Sequence, residues 1–226
     1  GGAAVSAASE KLIESARHKA ADLLEASAAD IDFEHGHFQI VGTDRSASFK
    51  EVCVSATTGE ELSFDEAETF APMQATYPNG THICELEIDP ETGVIELLDY
   101  TVVDDFGKVI NPLLLEGQVH GGIGQGLGQA LLESCAYDHE TGQLLSASLM
   151  DYTLPRADNL PNIRFLRREV PCTTNPLGIK GAGEAGAIGA PPAIVNAVVN
   201  ALAPHGVKHV DMPLTPDTVW RLSGGL

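Results

Sequence analysis

Lysine and arginine are scarce: they number 13 against 32 aspartates and glutamates, a formal charge of −19. Such a field repels phosphate backbones and anionic lipid, so nucleic-acid binding and electrostatic membrane attachment are excluded as primary roles. Long apolar runs are missing too. Every run falls far short of the roughly 18 residues a membrane helix needs, and Asn196 and Asn200 interrupt the best of them. Cysteine stands only at positions 53, 84, 135 and 172. With no CxxC pair, these argue against a zinc knuckle, an iron–sulfur site or a dense disulfide framework, and for a reducing, cytoplasmic setting. With no charged-then-apolar stretch in the opening residues, no secretory signal is expected. The chain opens Gly-Gly-Ala-Ala without an initiator Met and reads as a piece of a longer polypeptide. Nucleophile signatures such as GxSxG are also absent.

What remains is a globular composition. Hydrophobic residues make up 43% and charged residues 20% of 226 positions, enough for one large domain or two small ones. Apolar positions at helical spacing predict a first helix over 5–27. Alternation about His35-Gly36 predicts a hairpin over 31–41, and Ser46 or Ser48 caps a helix over 48–56. The acidic, turn-rich stretch 57–70 reads as a linker, dividing a subdomain 1–70 from a subdomain 71–226. A long hairpin is expected around Asp89-Pro90-Glu91-Thr92-Gly93, and a second around Asp138-His139-Glu140-Thr141-Gly142, because Asp opens such turns and Gly supplies their positive φ. Leu115, Val119, Ile123, Leu127 and Leu131 form one stripe on a helix starting near Pro112. Further on the pattern predicts a strand over 163–170, a glycine-rich loop, a helix from Pro191 to Leu202 and a short strand over 207–210. The fold class is α+β, as two α+β subdomains.

Two segments carry candidate chemistry. The first is the helix near 112–133, which holds Gly117, Gly121, Gly122, Gly124, Gly126 and Gly128. Each interior glycine costs about 0.8–1 kcal/mol against Ala, so a neighbouring helix or a ligand must approach the backbone closely enough to compensate. Gln118, Gln125 and Gln129 add uncharged donors and acceptors, and Gln118 is expected at the amino end, where free N–H groups favour anions or oxo groups. The second segment is the loop from Asn175 to Pro192. Its Gly181, Gly183 and Gly186 match GxGxxG, yet no buried strand precedes them and no βαβ unit surrounds them, which weighs against dinucleotide binding. Glu184 stands among Gly and Ala with Lys180 as its only nearby cation. Burial would raise its pKa toward that of a general base; a solvated loop carboxylate is the plainer reading. His120 reads as a packed histidine, and no His/Cys/Asp/Glu spacing suggests a protein-bound metal.

In order, the chain carries Gly117-Gln118-Val119-His120-Gly121-Gly122-Ile123-Gly124-Gln125-Gly126, then Asp151-Tyr152-Thr153-Leu154-Pro155-Arg156, then Lys180-Gly181-Ala182-Gly183-Glu184-Ala185-Gly186 followed by Pro191-Pro192. These motifs closely resemble the C-terminal part of the large subunit of the molybdenum hydroxylase (xanthine oxidase) family, nearest to the aerobic carbon monoxide dehydrogenase type. The resemblance implies a molybdenum-pyranopterin cofactor in its cytosine dinucleotide form, with no protein ligand to the metal. It places Gln118 beside the metal's oxo ligand and the backbone of Val119, His120, Gly121 and Gly122 against the cofactor, joined by Gly183. It makes Gly1, Gly2 and Ala3 the tail of a loop cradling the cofactor pyrophosphate. It assigns Glu184 as the base that takes a proton from a metal-bound hydroxyl, with water as the oxygen source and carbon monoxide, an aldehyde or an N-heteroarene as substrate. Electrons would leave through [2Fe-2S] clusters and FAD on an iron–sulfur small subunit and an FAD-binding medium subunit, in a dimer of heterotrimers. The isolated piece is expected to be inactive. Two other readings stand beside this one: a nicotinamide-dinucleotide dehydrogenase built on Gly181, Gly183 and Gly186, and a non-catalytic module whose glycines only seat helices.

Overall fold

A computed structural model describes residues 1–56 and 66–224. It divides into two compact units, Gly1–Met73 with Asn175–Leu177, and Gln74–Thr174 with Gly178–Leu226. Most of the expected linker, residues 57–65, lies outside the described residues.

The first unit is built on helix α1 (Gly2–Leu24). Its small buried residues Ala16 and Ala20 let strands β1 (Ile31–Glu34), β2 (His37–Ile40) and β3 (Ser46–Ser48) approach closely around Phe38. The β1–β2 turn places His35 and Gly36 both at positive φ, which matches the right-handed twist of the strands. Helix α2 (Phe49–Ala56) starts with a reciprocal cap: Ser48 Oγ accepts from Glu51 N–H, and the Glu51 carboxylate accepts from Ser48 N–H.

In the second unit, β4 (Asn79–Ile88) and β5 (Ile95–Asp105) form the expected antiparallel hairpin, and β6 (Ile163–Arg167) adds parallel to β5. At the hairpin turn Asp89 accepts from Glu91 N–H and the Thr92 hydroxyl, and Gly93 takes a φ of 72°. One core joins this sheet to α3 (Pro112–Leu127) and α4 (Ala185–Ala201). The stripe Leu115, Val119, Ile123, Leu127 is buried as its spacing predicts, and Asn111 caps α3 by accepting from Leu114 N–H. A π-turn, Gly128–Leu132, ends that helix. A short α5 (Pro216–Leu222), capped by Thr215, closes the unit.

Three expected elements differ. The Asp138 turn forms with the same side-chain bonds to Thr141, but only a single bridge, Tyr137 to Leu144, flanks it, so no strands develop. Residues 207–210 form no strand: Val210 is buried, while Lys208 and His209 in between are both exposed, so the alternation a half-buried strand needs is missing. Helix α4 begins at Ala185 rather than Pro191, with Pro191 and Pro192 inside it. Interior proline normally breaks a helix at about 3 kcal/mol. Here the turn before the prolines lies directly on α3, and that packing outweighs local propensity.

Candidate functional site

The two glycine-rich segments meet where α4 starts across α3. A Cβ on Gly186 would lie 2.5 Å from the Val119 carbonyl and 2.8 Å from Ile123 N; one on Gly122 would lie 2.8 Å from Ala187 N. Gly126 makes the same kind of approach to Ala190 and Pro191. These glycines exist to let two backbones touch, and real Cβ atoms do not fit there.

Gly117 and Gly121 are different. Both are exposed, and a Cβ on either would meet nothing within 4 Å. Helix α3 therefore has one glycine face used up by α4 and another left open. Gln118 lies on α3 beside Val119 and is exposed. It occupies the middle of the helix, not the amino end expected from sequence, because α3 already runs from Pro112; the open feature beside it is glycine backbone rather than a helix terminus.

Glu184 is the N-cap of α4, two residues before the Gly186 contact, and its backbone carbonyl accepts from Ile188 N–H. Its carboxylate is exposed and makes no cap bond. The burial that the sequence left open for it is absent here. Lys180, the one cation near it in sequence, is paired with Asp105 at 2.5 Å, with both side chains largely buried. Asp105 also accepts from Gly107 N–H at 2.8 Å and Val170 N–H at 3.0 Å. Burial alone would push the Asp105 carboxyl up; the Lys180 ammonium and the two amides outweigh it and hold the carboxyl below its ordinary value.

Gln118 is thus next in sequence to Val119 and Glu184 two residues before Gly186, the two positions whose backbones meet, and both residues are exposed. Gly183 is exposed, with free space around it. Val119 and Gly122, expected to touch cofactor, are buried against Gly186, whereas Gly121 is exposed, as is Gly117 before them. His120 is half-buried, and its Nε2 is buried with no hydrogen-bond partner among the described residues, a donor or acceptor open to an outside group. Gly2 and Ala3 are helical, in the first turn of α1, with Gly1 just before them.

Sequence reasoning missed the acidic end of β5. Asp104 is buried beside His82, whose Nε2 lies 3.6 Å from Asp104 Oδ1 and whose Nδ1 shares a hydrogen bond with the Tyr100 hydroxyl at 2.8 Å. The His82 ring fills the place of a Cβ on Gly189, so this cluster lies directly under the first half of α4. The signal was two consecutive acids closing an apolar strand; a solvated strand end is the commoner meaning of that pattern.

Among the described residues no group of three His, Cys, Asp or Glu side chains is placed to hold a metal. The donors on offer are an amide, exposed helix backbone and an unpartnered imidazole nitrogen. They fit a cofactor that carries its own metal ligands and presents oxygen and nitrogen edges to the protein. The GxGxxG glycines do not form a dinucleotide turn: the residues before them are irregular, and Gly186 is spent on α3. No described helix is long and apolar enough to cross a membrane.

Several known proteins resemble this chain over most of its length. The carbon monoxide dehydrogenase large chain of Hydrogenophaga pseudoflava is 35% identical over 97% of this chain. The nicotine 6-hydroxylase large subunit of Paenarthrobacter nicotinovorans is 35% identical over 92%. The chain spans 28% and 26% of the length of these two relatives. Among solved structures, reconstituted carbon monoxide dehydrogenase from Oligotropha carboxidovorans matches with a TM-score of 0.88 at 32% identity, over the whole of this chain and 28% of that one. Quinoline 2-oxidoreductase from Pseudomonas putida 86 matches with a TM-score of 0.83 at 37% identity, over 95% of this chain and 28% of that one. The model of the molybdopterin cofactor-binding domain matches residues 1–161, and the chain belongs to that family.

Proposed function

We propose that this chain is part of the large subunit of a molybdenum hydroxylase, which inserts a water-derived oxygen into a small substrate. The observation that carries the reading is the α3–α4 crossing, where Gln118 and Glu184 are both exposed beside the open backbone of Gly117 and Gly121. The cofactor, when bound, supplies an electron sink and an electrophilic centre that acidifies water. The residues of this chain contribute approach, hydrogen bonding and proton transfer. Gly117 and Gly121 let the cofactor approach the helix, and the Gln118 amide hydrogen-bonds to an oxygen at its edge. The His120 imidazole offers a further contact. Glu184, standing free of any partner among the described residues, accepts the proton from the attacking hydroxyl group.

The named relatives act on carbon monoxide and on nicotine, and similar solved structures are quinoline and aldehyde oxidoreductases. The substrate class is therefore carbon monoxide, an aldehyde or an N-heteroarene. The cytosine dinucleotide form of the cofactor, cytoplasmic placement, and a dimer of heterotrimers with FAD-binding medium and [2Fe-2S] small subunits complete the proposal. The test is Glu184→Gln in the full-length complex. Turnover should fall about 10²–10⁴-fold, the usual contribution of a positioned base, with molybdenum content unchanged. Retained turnover would remove the base assignment.

A further inference from the structure

Glu184 sits on a weak tether. The residues before it, Gly181-Ala182-Gly183, include two glycines, whose backbone costs entropy to hold still, and the Gly181 N–H is held there by a long bond to the Thr76 hydroxyl at 3.4 Å. A base serves only if its carboxylate stays where the proton will be, and a misplacement of about 1 Å can cost about a hundredfold in rate. Downstream the tether is fixed by Gly186 against α3. Upstream it is fixed at Lys180: its backbone N–H donates to the Phe106 carbonyl at 2.9 Å, and its ammonium donates to Asp105 at 2.5 Å. Gly107 and Ile179 bridge beside it, and the Lys108 N–H donates to the Gly178 carbonyl. Asp105 itself is the last residue of β5, held by two backbone amides, so it is a rigid post.

We propose that Asp105 is the positioning residue for Glu184, acting through Lys180, a role that rests on the reading of Glu184 as base. The Asp105–Lys180 pair transmits the rigidity of the sheet to the start of α4 and sets the direction in which the Glu184 carboxylate leaves the helix. The charge of the pair is secondary to the geometry it fixes.

The experiment uses the full-length complex with four variants: Asp105→Asn, Lys180→Arg, the neutral double variant Asp105→Asn/Lys180→Met, and Glu184→Gln. Asp105→Asn should lower kcat about ten- to a hundredfold at unchanged KM, with molybdenum content retained, and should speed amide hydrogen exchange over residues 180–185 while the rest of the large subunit keeps its protection. Lys180→Arg, which keeps the pair, should stay near wild-type in both readouts. The double variant leaves no unpaired buried charge, so its melting temperature should recover toward wild-type while kcat and local exchange do not. Wild-type kcat and exchange in the double variant, with Glu184→Gln inactive, would overturn the positioning role and leave the base intact. Wild-type turnover in Glu184→Gln would overturn the base reading, and the positioning role with it.

Discussion

Helix α3 carries the same residue type on two faces and uses it for opposite purposes. Gly122 and Gly126 lie against α4, where a methyl group would strike backbone or a packed side chain. Gly117 and Gly121 lie one turn apart on another face, where an added Cβ would meet nothing within 4 Å among the described residues. The first pair is explained by packing alone. The second is not, because an exposed glycine in a helix interior is a net cost unless something outside the helix needs the space.

The comparison breaks most readily at Gly122. Gly122→Ala, and equally Gly186→Ala, should overpack the α3–α4 contact at a cost of about 1–3 kcal/mol, lowering the melting temperature of the full-length subunit; an unchanged melt would show that the helices are not in contact as described. Gly121→Ala should do the reverse. Its fold should hold, or gain up to about 1 kcal/mol from better helix propensity, while molybdenum content after purification falls. Equal losses of stability and metal at Gly121 would favour a face made only for seating helices.

A smaller effect sharpens the other half of the site. The Asp105 carboxyl is held below its ordinary 3.8, so the stability it contributes is present above that pH and is lost as pH falls through the lower, folded-state value. Chemical denaturation midpoints compared between pH 7 and about pH 3 should fall less steeply for Asp105→Asn than for wild-type. Parallel curves would mean that the pair contributes no pH-dependent stability.

The face of α3 that builds the core was legible because Leu115, Val119, Ile123 and Leu127 repeat every four residues and burial follows the repeat. The hairpin at Asp89 was legible through its turn chemistry. The same chemistry at Asp138 predicted strands that do not form, since a turn fixes only the local chain and strand pairing needs an edge to extend against. The early start of α4 was hidden by Pro191-Pro192, a local signal that contact with α3 overrides. The sequence singled out Gln118 and Glu184 but not their surroundings: neither the exposure of Glu184 nor the pairing of Lys180 with Asp105, 75 residues away, is written in local sequence.

The central claim concerns where two side chains point once cofactor is present. A structure of the cofactor-loaded, full-length complex measures it most directly. The account predicts the Gln118 amide at hydrogen-bond distance, about 3 Å, from an oxygen of the molybdenum centre, and the Glu184 carboxylate facing that centre across the α3–α4 crossing. A molybdenum centre bound elsewhere on the subunit, or either side chain turned away from it, would contradict the account.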